Sequence, residues 1–193
     1  MSARKPECIV AVFGANNPLP GQDSYELARA VGRMLGELGC TVANGGYLGT
    51  MEASARGAKE AGARTIGVTC KLWAGEPNAY IDCHLQSEDL YDRVRKLVEL
   101  AQGGYVVLGG ATGTLVELAL VWELQAKGFL SRRPIVCVGS FWRPLVEMMA
   151  REKPRVVEYI SVVQSPAELR RYFKPSAGAG SVVIETPQNN RGR

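Results

Sequence analysis

Histidine is nearly absent from this chain: His84 is the only one in 193 residues. One histidine leaves a zinc site short of ligands, and no G-x-S-x-G accompanies it to suggest a serine triad. His84 reads as a strand or strand-end residue, and no metal is expected. Cys8, Cys40, Cys70, Cys83 and Cys137 are odd in number, widely spaced and without a C-x-x-C pair. Buried reduced thiols are therefore expected rather than a disulfide framework. No apolar run approaches the ~18–20 residues that cross a bilayer. The basic start MSARKPE is not followed by the apolar core of a signal peptide. The expected location is the cytoplasm, with no membrane partner. A strong charge of one sign is missing too: 23 Lys and Arg against 19 Asp and Glu leave +4, mostly scattered. No aromatic-rich basic motif is present, so no nucleic-acid partner is expected, whereas a small anionic ligand suits the balance.

What is present reads as a folded domain. Hydrophobic residues make up 46% and charged residues 22%, a composition that excludes disorder over the whole length. Short apolar runs at Ile9–Phe13, Cys40–Ala43, Thr65–Thr69, Ile81–Leu85, Tyr105–Leu108, Ile135–Val138 and Ile160–Val163 read as strands. Between them lie stretches of helical period: from Asp23 to Leu38, Thr50 to Glu60, Glu88 to Leu100 with Ser87 as cap, and from Thr114 onward. Pro144 and Pro166 open two more helices. Alternation of this kind predicts an α/β fold: one Rossmann-like three-layer domain over residues 1–174, its mostly parallel sheet covered by helices on both faces. Residues 175–193, rich in Gly, Ser, Pro, Asn and Arg, read as a flexible tail in which SVVIE has strand character.

Two junctions carry the functional signal. Asn44-Gly45-Gly46-Tyr47-Leu48-Gly49-Thr50 and Gly109-Gly110-Ala111-Thr112-Gly113-Thr114 each follow a buried strand and lead into a helix. Glycine lets the backbone approach a ligand, and the amides and dipole of a helix start attract an anion. Together with Gly14, Ala15 and Asn16 after the first strand, these turns form the expected phosphate-binding edge. Neither the Walker pattern nor an intact G-x-G-x-x-G is present, and no acid follows at the ribose-binding distance, which disfavours NTPase and NAD chemistry. Glu117 shares a helix face with Thr114, and Thr114-Leu115-Val116-Glu117 also fits a capping box, so catalyst and cap are both open readings. The helix after Thr114 is apolar almost all round, which suits burial against a second subunit. In the segment KLWAGEPNAY, Trp73 and Tyr80 are available to stack on a base.

These residues resemble the LOG (Lonely Guy) family, once labelled "possible lysine decarboxylase". NGGYLGTMEASARGAKEAG is similar to its GGGxxGLMG stretch, and GGATGTLVE to its PGGxGTxxE. IVAVFGANN, with Ser24-Tyr25 after it, resembles the first strand and loop. DLYDRVRKLVELAQGGYVVL resembles the helix carrying MHxRK and the strand after it. The order holds from Cys8 to Phe173, and the superfamily includes molybdenum-cofactor carrier-like proteins. The resemblance implies a homodimer or higher oligomer that hydrolyses the N-glycosidic bond of a nucleoside 5′-monophosphate, releasing base and ribose 5-phosphate without a resident cofactor. The family's glutamate falls on Glu117, its threonine on Thr114, and its glycines on Gly110 and Gly113. Gly109 stands at its proline and Ala111 at its second glycine. Its arginine falls between Arg93 and Arg95, with Arg93 preferred. The alternative is a non-catalytic binder or carrier of a nucleotide or of molybdenum cofactor.

Overall fold

The computed structural model describes residues 8–73 and 75–173. Seven strands form one sheet: β1 (Ile9–Phe13), β2 (Thr41–Asn44), β3 (Thr65–Cys70), β4 (Cys83–Ser87), β5 (Gly104–Val107), β6 (Ile135–Val138) and β7 (Ile160–Val163). Their order is β4-β3-β2-β1-β5-β6-β7, and every pairing is parallel. A parallel sheet must be covered on both sides, and the inner strands are accordingly continuous apolar runs such as Val10-Ala11-Val12-Phe13. Helices α1 (Asp23–Glu37) and α2 (Thr50–Glu60) pack on one face around Val31, Leu35 and Ala58. Helices α3 (Leu90–Leu100), α4 (Thr112–Ala126) and α5 (Arg143–Glu152) take the other, around Leu97, Leu118 and Trp142. This is the Rossmann-like α/β architecture that the strand–helix alternation predicts.

The chain runs outward from β1 through β2 and β3 to β4, then returns to lay β5 on the other side of β1. Strand order therefore reverses between β1 and β5. The loops leaving their carboxyl ends part there and open a crevice, the usual ligand position in such folds. Among the described residues no helix is long and apolar enough to cross a membrane.

Several local expectations are corrected. Ser87 does not cap α3, because it is still paired to Cys70 as the last residue of β4, and its hydroxyl has no partner. Asp89 caps instead, accepting from the Asp92 amide at 2.8 Å. Helix α4 begins at Thr112, two residues before Thr114. The stretch opened by Pro166 is a 3₁₀ turn, and another spans Pro154–Tyr159. Cys8 and Cys40 form a disulfide rather than two free thiols. They lie 32 residues apart in sequence, but each directly precedes one of two adjacent strands in register, Ile9 opposite Thr41. Cys70 and Cys137 are free and buried, Cys83 free and half-buried. His84 lies within β4, its Nε2 2.6 Å from the Thr69 hydroxyl. The expected tail, SVVIE included, lies outside the described residues.

Candidate functional site

The crevice over β1 and β5 holds about 1360 Å³, above the ~300–1,000 Å³ of common small-molecule sites. Gly14, Ala15 and Asn16 line its centre, Gly45, Tyr47, Leu48 and Met51 one side, and Gly109, Gly110, Ala111, Gly113 and Thr114 the other. Arg93 and Glu117 lie in its lining as well.

The two glycine turns differ. At the start of α2 the Thr50 amide and hydroxyl both donate to the Ala15 carbonyl, each at 2.9 Å. The first amide of α2 and the Thr50 hydroxyl are thus spent on the β1–α1 loop, although α2, like α4, has no side-chain cap. Gly49 makes this approach feasible: its φ is +70°, and a β-carbon would sit 2.5 Å from the Ala15 oxygen. Gly46 faces away from the crevice, its carbonyl accepting from the Asn78 amide at 2.8 Å. At the start of α4 nothing comparable happens. The Ala111 carbonyl accepts from Leu115, and no side chain caps the helix. Among the described residues the amides of Thr112, Gly113 and Thr114 meet no acceptor. Gly113 and Thr114 line the crevice, whereas Thr112, also expected at the site, is not among its lining residues. The positive end of a 15-residue helix thus lies at the crevice edge.

Arg93 and Glu117 reach the same place from different helices. Both are almost buried, at 6% and 8% exposure, with Arg93 Nη1 3.6 Å from Glu117 Oε1. Arg93 Nε donates to the Val68 carbonyl at 2.8 Å, which fixes the guanidinium against β3. Gly45 is required beside it, because a β-carbon there would collide with Arg93 Nη2. Glu117 lies in the second turn of α4 and makes no capping bond, since the helix starts earlier than the Thr114 cap supposes. Burial pushes its carboxyl up to about 7, the Arg93 charge pulling the other way. Arg95 points elsewhere: it is exposed and paired with Asp92 and Glu99. Helical period carries the distinction, as Arg93 shares its stripe with Leu97 while Arg95 does not.

Aromatic groups close the β2–β3 side. The Arg93 guanidinium carbon lies 5.3 Å from the Trp73 ring and 5.6 Å from the Tyr47 ring. Tyr80, the other stacking candidate, sits under Arg56 and outside the crevice. Phe141, from the loop after β6, borders the opposite side. The sequence reading missed it, although its place after a strand's carboxyl end is the signal that would have found it.

Known proteins resemble this chain in sequence and in fold. A cytokinin riboside 5′-monophosphate phosphoribohydrolase of Mycobacterium tuberculosis is 31% identical over 180 residues, covering 86% of this chain and 94% of its own. The molybdenum cofactor binding protein of Rippkaea orientalis superposes with a TM-score of 0.69 at 22% identity, covering 86% of this chain and 94% of that one. The molybdenum cofactor carrier protein of Chlamydomonas reinhardtii superposes with a TM-score of 0.63 at 23% identity, over 84% and 92%. At such identities the two superpositions establish the fold. The model of the SLOG cluster4 family matches residues 7–169, and the chain, as its LOG-like motifs imply, belongs to that family.

Proposed function

We propose that the chain hydrolyses the N-glycosidic bond of a nucleoside 5′-monophosphate. The observation that carries this reading is the meeting of Arg93 and Glu117, two buried charges from separate helices, beside the uncapped start of α4. A buried ion pair is expensive to keep for stability alone. Perturbed carboxyls in clefts are the usual mark of chemistry. The 5′-phosphate would rest on the amides of Thr112, Gly113 and Thr114, with the Thr114 hydroxyl as a further donor. The ribose then lies above Glu117. As the C1′–N bond breaks, its electron pair leaves with the base, and positive charge grows on the sugar ring. The Glu117 carboxylate faces that charge and takes a proton from the water that attacks C1′. Glu117 passes that proton on to the departing base, so that the water's hydroxyl ends on C1′ and its proton on the base, and ribose 5-phosphate is left. Arg93 positions Glu117 and lowers its pKa, so that part of the population is ionised near neutrality.

The active unit in this reading is a homodimer. Helix α4 exposes Leu115, Val116 and Leu120 along one side, a face that a second copy would cover. A second reading, a binder or carrier of a phosphorylated ligand such as molybdenum cofactor, draws support from Gly109 and Ala111, which depart from the PGG pattern of the hydrolases. The same amides would hold the phosphate of such a ligand.

A product assay separates the two. The protein is offered AMP, other common nucleoside monophosphates and a cytokinin riboside monophosphate, and free base and ribose 5-phosphate are measured. Equimolar release that is lost in Glu117→Gln is the expected result. No release, with a rise in melting temperature on adding nucleotide, overturns the hydrolase in favour of the binder.

A further inference from the structure

Tyr47 and Trp73 form a small aromatic unit that the chemistry at Glu117 does not use. Their rings are 6.0 Å apart and tilted by 54°. Both hang from the last residue of β3: the Cys70 amide donates to the Tyr47 hydroxyl at 2.9 Å, and the Trp73 amide donates to the Cys70 carbonyl at 3.1 Å. Asn78 secures the platform from outside, its Nδ2 donating to the Gly46 and Tyr47 carbonyls at 3.0 and 2.8 Å. The Arg93 guanidinium lies against both rings. Trp73 is nonetheless 46% exposed and lines the crevice. A large apolar ring held in place with one side open to a cavity is prepared for a flat partner.

Strand order supplies the direction. The uncapped α4 start follows β5, whereas Tyr47 and Trp73 follow β2 and β3, with β1 between. A ligand whose phosphate sits at α4 and which extends across the crevice passes Glu117 and ends at the aromatic pair. We propose that Tyr47 and Trp73 are the wall on which the base of the nucleotide stacks, and that this wall selects phosphorylated ligands carrying a planar ring system, two-ring bases above one-ring bases. The proposal rests on the crevice being a nucleotide site but not on hydrolysis.

The test uses probes that cannot be hydrolysed. Formycin 5′-monophosphate and pseudouridine 5′-monophosphate are two-ring and one-ring nucleotides with carbon–carbon glycosidic bonds, and ribose 5-phosphate lacks a base. Each is titrated calorimetrically into the full chain, into Trp73→Ala and into Trp73→Phe. Trp73 is partly exposed in a loop, so its replacement spares the core. Trp73→Ala is expected to weaken the formycin nucleotide about tenfold, the pseudouridine nucleotide less, and ribose 5-phosphate by less than about twofold. Trp73→Phe should keep most of the affinity. Equal affinity of the wild type for all three probes would overturn the proposal, as would a loss in Trp73→Ala that is the same with and without a base. Absence of base release in the product assay would remove the hydrolase reading and leave these titrations unchanged.

Discussion

The turns Asn44–Thr50 and Gly109–Thr114 look alike in sequence and do different work. Each joins a buried parallel strand to a helix through glycines and a threonine. At the first, Thr50 gives its amide and hydroxyl to Ala15, and Gly49 takes positive φ so that the two loops can touch. At the second, the first amides of α4 have no acceptor among the described residues, and a β-carbon on Gly113 would meet open space. The first turn is a joint that locks the crevice wall and carries Tyr47. The second is left open, and in the proposed function it is the turn that cradles an anion. A glycine-rich strand–helix turn thus says that backbone approaches something closely, and its neighbours decide whether that something is protein or ligand.

The largest expected effect separates the two sides by chemistry. Glu117→Gln should lower base release about 1,000-fold, since a general base typically contributes 10²–10⁴-fold, whereas Thr50→Val should retain turnover in whatever protein folds. Comparable losses in both would break the distinction. Next comes pH. The Glu117 carboxyl moves from the ordinary 4.5 to about 7 in the folded chain. Between those values the folded state holds the extra proton, so its stability falls as pH rises. Denaturation curves should show wild type losing about 3 kcal/mol relative to Glu117→Gln between about pH 4.5 and 8. Base release should rise through about pH 7 over the same window.

Smaller effects probe the turns directly. Gly49→Ala places a side chain at φ +70° against the Ala15 carbonyl and should cost about 2 kcal/mol in denaturant unfolding. Gly113→Ala should change stability by less than about 0.5 kcal/mol. The smallest effect is the threonine exchange. Thr50→Val should cost about 1 kcal/mol of stability, and Thr114→Val should instead raise the KM for nucleotide several-fold at nearly constant stability. Reversal of that pattern would mean that the open and closed assignments are exchanged.

Much of the fold was legible because its signals are local. The apolar runs at Ile9–Phe13, Ile135–Val138 and Ile160–Val163, and the helix Thr50–Glu60, are read from periodicity with the bounds the structure has. The site was legible in part. Glu117 and the glycine turns stand out by type and position, and of the two arginines Arg93, not Arg95, lies in the crevice on the helix face that Leu97 shares. What sequence did not disclose depends on contacts between distant segments. Cys8 meets Cys40 only through strand register. Thr50 loses its donors only because the β1 loop reaches it. Ser87 remains in β4 because Cys70 pairs with it, which passes the capping role to Asp89.

The most direct test of the open and closed assignment follows the backbone amides by ¹⁵N NMR while ribose 5-phosphate is added. The account predicts the largest shifts at Thr112, Gly113 and Thr114, with Gly49 and Thr50 little changed. Largest shifts at Gly49 and Thr50, or none at the start of α4, would contradict it.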